Sequence, residues 1–161
     1  EDAAHARERV LAGGAVAEAQ DLADTLANRA TGHLTTLTGH TSSVTGCAIT
    51  PDGRHVVSAS WDNTLKVWDL QTGSETATLT GHTESVYAVA VAADARIAVS
   101  AGYDDNTVRV WDLVAGVCLR TLTGHTSWVS AVAFSPDGRR IVSNNADGSI
   151  NVWDASDLVQ E

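Results

Sequence analysis

Three stretches of this chain repeat one another, and repetition at a fixed period limits the possible folds more tightly than any single motif can. Leu37-Thr38-Gly39-His40, Leu79-Thr80-Gly81-His82 and Leu122-Thr123-Gly124-His125 are each followed, 28 or 29 residues after the histidine, by a Trp-Asp pair. The pairs are Trp68-Asp69, Trp111-Asp112 and Trp153-Asp154. Successive Gly-His steps stand 42 and 43 residues apart, a length that holds four short strands and their turns. One supersecondary unit is therefore written three times.

Within each unit the apolar period is two, as expected of strands whose faces differ in environment. The first repeat serves as the template. Val44 to Ile49 reads as a strand, and Pro51-Asp52-Gly53 as a turn, because proline presets φ and glycine accepts a positive one. His55 to Ala59 is the second strand, Asp62-Asn63 a tight turn, Leu65 to Asp69 the third strand and Glu75 to Leu79 the fourth. The second repeat replaces the Pro-Asp-Gly turn by Ala93-Asp94-Ala95 and carries one extra residue in Tyr103-Asp104-Asp105; the third restores the turn as Pro136-Asp137-Gly138. A further outer strand is expected at Leu34 to Leu37, without a blade of its own, and none after Asp154, so the third blade lacks its outer strand and the total is twelve.

Residues 1–32 follow another rule. Ala19, Leu22, Ala23, Leu26 and Ala30 fall on one helix face, with Glu18, Asp21 and Asp24 toward the favourable N-terminal end. The spacing predicts a helix over 15–30, with Gly32 placed to stop it and Gly13-Gly14 dividing it from an earlier helical piece ending near Leu11. This segment reads as the tail of an upstream domain or a packing appendage, with a dimerising helix as the alternative. The start at Glu1 rather than Met is read as a trimmed or excised piece of a longer polypeptide.

Charge narrows the partners. Twenty acidic residues face ten basic ones, and the basic ones never cluster, so a phosphate-tracking surface for nucleic acid is not expected. No stretch approaches the roughly 20 apolar residues of a membrane-spanning helix, and no signal-peptide order is present, so neither a membrane nor secretion is expected and the reading is cytoplasmic. Cys47 and Cys118 lie in apolar strand patterns and read as small buried hydrophobes. Arginine outnumbers lysine nine to one, a bias that, with abundant alanine, points to a G+C-rich bacterial source.

Residues 34–154, with their three Gly-His and Trp-Asp pairs and an Asp six positions before each Trp, resemble the WD-repeat β-propeller family. The resemblance implies an all-β chain of three four-stranded blades, at about 34–78, 79–121 and 122–161, in a propeller segment covering 33–161 after the helical segment 1–32. It implies in each blade a hydrogen-bonded chain of Trp, Ser, His and Asp. The first is His40, Ser58, Asp62 and Trp68; the third is His125, Ser143, Asp147 and Trp153. The second is His82, Ser100, Trp111 and either Asp104 or Asp105, with Asp105 favoured because Asp105-Asn106-Thr107 matches Asp62-Asn63-Thr64. It also places Trp61, Tyr87, Trp128, Ser43, Thr45, Asp104, Ser130 and Ala146 around the rim of the top face, where protein or peptide partners dock. Trp61 and Trp128 either anchor such a partner or pack on adjacent loops.

Ser, His and Asp also suggest a nucleophilic triad, but a set repeated in every structural unit is architecture rather than an active site. Histidines about one blade apart do not make a zinc site, so neither metal nor cofactor is expected. An enzyme with its site in the propeller mouth remains as the other class, with Tyr103 and Asp104 its only candidates. Three blades fall short of the four to eight that usually close a ring, so the ring is expected to be completed by further blades of the parent chain or by other copies, two copies giving six blades and three giving nine. The expected function is a noncatalytic protein-interaction scaffold or sensor in a signalling protein. A nucleotide-driven bacterial switch is the narrower alternative, and its phosphate loop is not in this chain.

Overall fold

The computed structural model describes residues 16–24, 26 and 32–159. The chain divides between Thr36 and Leu37 into two units, and every strand among the described residues lies in the second. In the first unit residues 16–24 and 26 are helical, and Val16, Leu22 and Leu26 are exposed. The expected earlier helical piece ending near Leu11 and the helix end beyond residue 26 lie outside the described residues.

Among the described residues, eleven strands make three antiparallel sheets in chain order. The first holds β1 (Val44–Ile49), β2 (His55–Ser60), β3 (Leu65–Asp69) and β4 (Glu75–Leu79). The second holds β5 (Val86–Val91), β6 (Ile97–Gly102), β7 (Val108–Asp112) and β8 (Val117–Leu122). The third has β9 (Val129–Phe134), β10 (Arg140–Asn145) and β11 (Ile150–Asp154), then a short 3-10 turn at Ser156–Leu158. Each sheet is an up-and-down meander, so strands adjacent in sequence pair with one another. The sheets are propeller blades, three side by side in an incomplete ring.

One expectation changes here: residues 34–37 form no strand. The third blade has three strands and, among the described residues, no outer strand after Asp154, as the strand count implies. An extended segment is held by its ladder partners, since each unpaired amide and carbonyl otherwise falls back on water. No described strand offers 34–37 such a ladder.

The blades stack through their faces. β5 packs on β1 and β2, and β9 packs on β5 and β6. Val57, Ala59, Leu65, Val67 and Leu79 of the first blade meet Val86, Ala98 and Trp111 of the second. Val99, Ala101, Val108 and Val110 of the second meet Val129 and Ile141 of the third. The middle blade is covered on both sides, which is why β6 is buried along its entire length, the apolar run expected of a strand with two packed faces.

The end blades show what happens without a neighbour. Cys47, expected to be buried, is exposed; its counterparts Val89 and Val132 are part of the interblade cores. Cys47 lies on the face of the first blade that no earlier blade covers. Val44 and Ile49 are exposed for the same reason, and so are Val142, Ile150 and Val152 at the other end.

Local chemistry fixes the turns. Asn63, Asn106 and Gly148 sit at the same place in the three blades with φ of 73°, 55° and 87°, the left-handed region that asparagine and glycine tolerate best. The preceding aspartate locks each turn: Oδ1 of Asp62, Asp105 and Asp147 accepts the backbone N–H of Thr64, Thr107 and Ser149 at 3.0, 3.0 and 2.8 Å.

Candidate functional site

Two sets of side chains were marked by the sequence, one inside the blades and one on the rim. Inside the first blade the Trp68 indole N–H donates to Ser58 Oγ at 2.8 Å, Ser58 Oγ lies 2.7 Å from His40 Nε2, and His40 Nδ1 lies 2.7 Å from Asp62 Oδ2. Direction follows from proton count. Indole can only donate, so the hydroxyl accepts from it and gives its own proton to Nε2, leaving Nδ1–H to donate to the carboxylate. The second blade repeats the chain through Trp111, Ser100, His82 and Asp105 at 2.8, 2.6 and 2.7 Å. Asp105, and not Asp104, reaches the imidazole; the extra residue is taken up before the turn, leaving Asp104 exposed.

The third blade differs. Trp153 donates to Ser143 at 2.8 Å and Ser143 meets His125 Nε2 at 2.6 Å, but His125 Nδ1 is buried with no partner. Asp147 Oδ2 instead accepts from the Thr126 hydroxyl at 2.8 Å. The structure thus brings three of the four expected members together here and leaves Asp147 apart.

Protonation preferences follow from these contacts. Burial pushes the Asp62 carboxyl up, but hydrogen bonds from Thr64, His40 and the Thr41 amide outweigh it and hold the group at about 2. Asp105 is lowered likewise, burial being overcome by the His82 hydrogen bond and charge. His125, lacking a carboxylate on Nδ1, is pushed down by burial against a weaker opposing pull from Asp147. Glycine before each histidine is the floor on which the indole lies: a Cβ on Gly39 would stand 2.9 Å from Trp68, and one on Gly124 3.3 Å from Trp153.

The rim set is positioned by one recurring irregularity. The pairing of first and second strands slips at the same place in every blade, between Val44 and Gly46, between Val86 and Ala88, and opposite Asn144/Asn145. The skipped residues are Thr45, Tyr87 and Ser130, and a bulge of this kind re-aims the side chain it carries. Thr45 turns its hydroxyl to the Val86 carbonyl at 2.6 Å, tying the first blade to the second, and Ser130 accepts from the Asn144 side-chain amide at 3.1 Å. Tyr87 stays 36% exposed and meets Trp128 of the next blade with ring centroids 6.1 Å apart. Trp61 is 51% exposed, its backbone N–H donating to Ser43 at 3.0 Å. It makes no ring contact among the described residues. Ser43, Asp104 and Ala146 are exposed.

Tyr103 was absent from the expected rim set, yet it completes the cluster, 5.0 Å from Trp128 and 5.7 Å from Tyr87. The signal was present: Tyr103 follows β6 as Trp61 follows β2, and the extra residue after it hid the match. Among the described residues no group of three or more His, Cys, Asp or Glu is placed to hold a metal ion, and no helix is long and apolar enough to cross a membrane.

Meander blades of three or four strands, stacked face to face and each carrying an indole-hydroxyl-imidazole relay, define a repeat propeller. The family model described as "WD domain, G-beta repeat" matches residues 32–69, 73–112 and 116–154, and the chain belongs to that family. Among curated proteins it is similar to "MST50-interacting protein 11" of Pyricularia oryzae, 50% identical over 40 residues, which is 25% of this chain and 13% of that protein. It is similar to "Small ribosomal subunit protein RACK1" of Neurospora crassa, 50% identical over 38 residues, 24% of this chain and 12% of the relative. "Ribosome assembly protein 4" of Saccharomyces cerevisiae is 51% identical over 37 residues, 23% of this chain and 7% of the relative. Each of these matches spans about one repeat and a small part of the relative's length.

Proposed function

We propose that this chain is a noncatalytic interaction platform, a propeller segment that holds protein or peptide partners on its rim within a larger assembly. The observation that carries the reading is the internal use of its reactive-looking groups. Every Ser-His pair is buried in a blade and engaged by an indole, so no hydroxyl is free to act as a nucleophile there. The rim carries aromatic rings, Trp61 and Tyr87 exposed and Trp128 half-buried against Tyr87, residue types that dominate protein interfaces because they bury much area for little lost freedom.

The relatives agree in kind. One is named for its interaction with MST50, one as a ribosomal subunit protein and one for ribosome assembly, all descriptions of association rather than turnover. The uncovered faces of the first and third blades are the places for further blades, from the parent polypeptide or from other copies. Two unpaired cysteines suit a reducing compartment, and we place the protein in the cytosol.

The test replaces Trp61 and Trp128 together by alanine and compares the proteins captured by variant and parent, alongside melting temperature. Removing the half-buried Trp128 ring from its contacts with Tyr87 and Tyr103 costs about 2 kcal/mol, so capture is measured well below the variant's melting temperature and is expected to fall while the variant is fully folded. Undiminished capture overturns the rim as docking site.

A further inference from the structure

The rim end of the blades is formed by the loops entering β1, β5 and β9 (38–43, 80–85 and 123–128) and the loops joining second to third strands (61–64, 103–107 and 146–149). These loops contain five carboxylates, Asp62, Glu84, Asp104, Asp105 and Asp147, and no lysine or arginine. The loops at the other end, between first and second strands, carry Arg54, Arg96 and Arg139, each balanced by an aspartate of the same turn, Asp52, Asp94 and Asp137. Uncompensated negative charge is thus concentrated at the rim end of the blades.

Three of the five carboxylates are occupied within the fold: Asp62 by His40 and Thr64, Asp105 by His82 and Thr107, Asp147 by Thr126 and Ser149. Glu84 and Asp104 are exposed and have no hydrogen-bond or ion-pair partner among the described residues. Both stand beside the aromatic cluster. Asp104 follows Tyr103 directly, and the Tyr103 backbone N–H donates to the Ser85 carbonyl at 2.8 Å, which fastens the Glu84 loop to the Tyr103 loop.

Ring spacing decides how a ligand can use this place. Centroids 5.0, 5.7 and 6.1 Å apart are contact distances, so the rings fill the space between them and no ligand group enters. A partner meets their outer faces. A planar cation is the group that both stacks on an aromatic face and takes two parallel hydrogen bonds from a carboxylate, and guanidinium does this better than the compact, strongly hydrated ammonium of lysine.

We propose that Tyr87, Tyr103 and Trp128, with Glu84 and Asp104 beside them, bind an arginine-bearing basic segment of a partner protein. The proposal rests on the interaction-platform reading above and adds the charge class of the partner. The net charge of −10 on the chain draws such segments in and turns acidic ones and nucleic acids away.

The experiment measures fluorescence anisotropy of dye-labelled glycine-serine peptides carrying several arginines, lysines, glutamates or phenylalanines, titrated with the full 161-residue chain. The arginine peptide is expected to bind about fivefold or more tightly than its lysine twin, the margin set by stacking. Glu84→Gln with Asp104→Asn is expected to weaken it about tenfold and to flatten its salt dependence. These exposed polar changes leave the packing alone; Tyr87→Leu, checked for an unchanged melting temperature, removes one stacking face and is expected to erase the arginine-over-lysine margin.

Equal binding of arginine and lysine peptides overturns the proposal, as does arginine binding that ignores the Glu84 and Asp104 changes. If the phenylalanine or glutamate peptide is preferred and Tyr87→Leu abolishes it, the cationic class fails while the platform reading stands. If no peptide binds, the proposal fails; if capture is also indifferent to the Trp61 and Trp128 changes, the platform reading fails with it.

Discussion

Ser58 and Ser100 each have one proton to give and an indole N–H to receive, so their place in the relay fixes the tautomer of the histidine beyond them. That histidine then has a proton on Nδ1 that needs an acceptor, and the first two blades supply one where the third does not. Removing His82 strands a buried carboxylate and a buried hydroxyl, which costs about 2 to 3 kcal/mol. Removing His125 strands the hydroxyl alone, since Asp147 is satisfied by Thr126, and the cost is about 1 kcal/mol. Urea denaturation of His82→Ala and His125→Ala is expected to show that order; equal losses would mean that the third relay closes in solution. Acid gives a second readout. The folded-state value of Asp62, about 2, lies below the ordinary 3.8, so its stabilisation is complete above 3.8 and is lost as pH falls through 2. Asp62→Asn is expected to cost about 2 kcal/mol at neutral pH, and the gap between parent and variant should close over that acidic window.

Turns and ladders obey rules that a sequence displays unevenly. Gly53 and Gly138 close their turns at φ of 71°, and Ala95 closes the same turn in the second blade at 61°, its N–H bonded to the Ala92 carbonyl at 3.0 Å. Glycine adopts that region freely whereas an L side chain is strained by roughly 1 to 2 kcal/mol, part of which is offset because alanine restrains the unfolded chain. Ala95→Gly is therefore expected to raise stability by about 0.5 to 1 kcal/mol, measured by thermal or urea melts. The Ala-Asp-Ala substitution in a place of Pro-Asp-Gly made this position legible in advance, as alternation made the strands legible, because both are properties of neighbours in the chain. The same holds for Asp105, singled out by the Asn and Thr that follow it. What was missed depends on partners distant in sequence. Leu34 to Leu37 has a strand's composition but no described ladder, Cys47 has a core residue's neighbours but no covering blade, and Tyr103 lost its match to Trp61 through one added residue. Nothing in the residue types of His125 and Asp147 distinguishes them from the pairs that join; the Thr126 hydroxyl that captures Asp147 has its counterparts in Thr41 and Thr83.

Across the whole propeller segment, position within the arc decides what an identical residue is worth. Val67, Val110 and Val152 stand one blade apart at the same point of the third strand, each the residue before the Trp-Asp tryptophan. Val110 is fully buried between the second and third blades and Val152 is 60% exposed, because stacking covers one and not the other. Truncating Val110 to alanine removes two buried methyl groups and opens a space that rigid neighbours fill only in part, a loss of about 2 kcal/mol. Truncating Val152 removes methyl groups already in water, and surface changes of this kind stay within about 0.5 kcal/mol. Dilute samples of the 161-residue chain should show this contrast in urea melts. Should other copies seal the third blade, burial would reach Val152 as the concentration rises, since binding that requires the folded state stabilises it by mass action. The Val152→Ala penalty would then grow toward that of Val110→Ala while the Val110 value held steady. The two valines together therefore report, from stability alone, whether the outer face of the third blade is open or occupied.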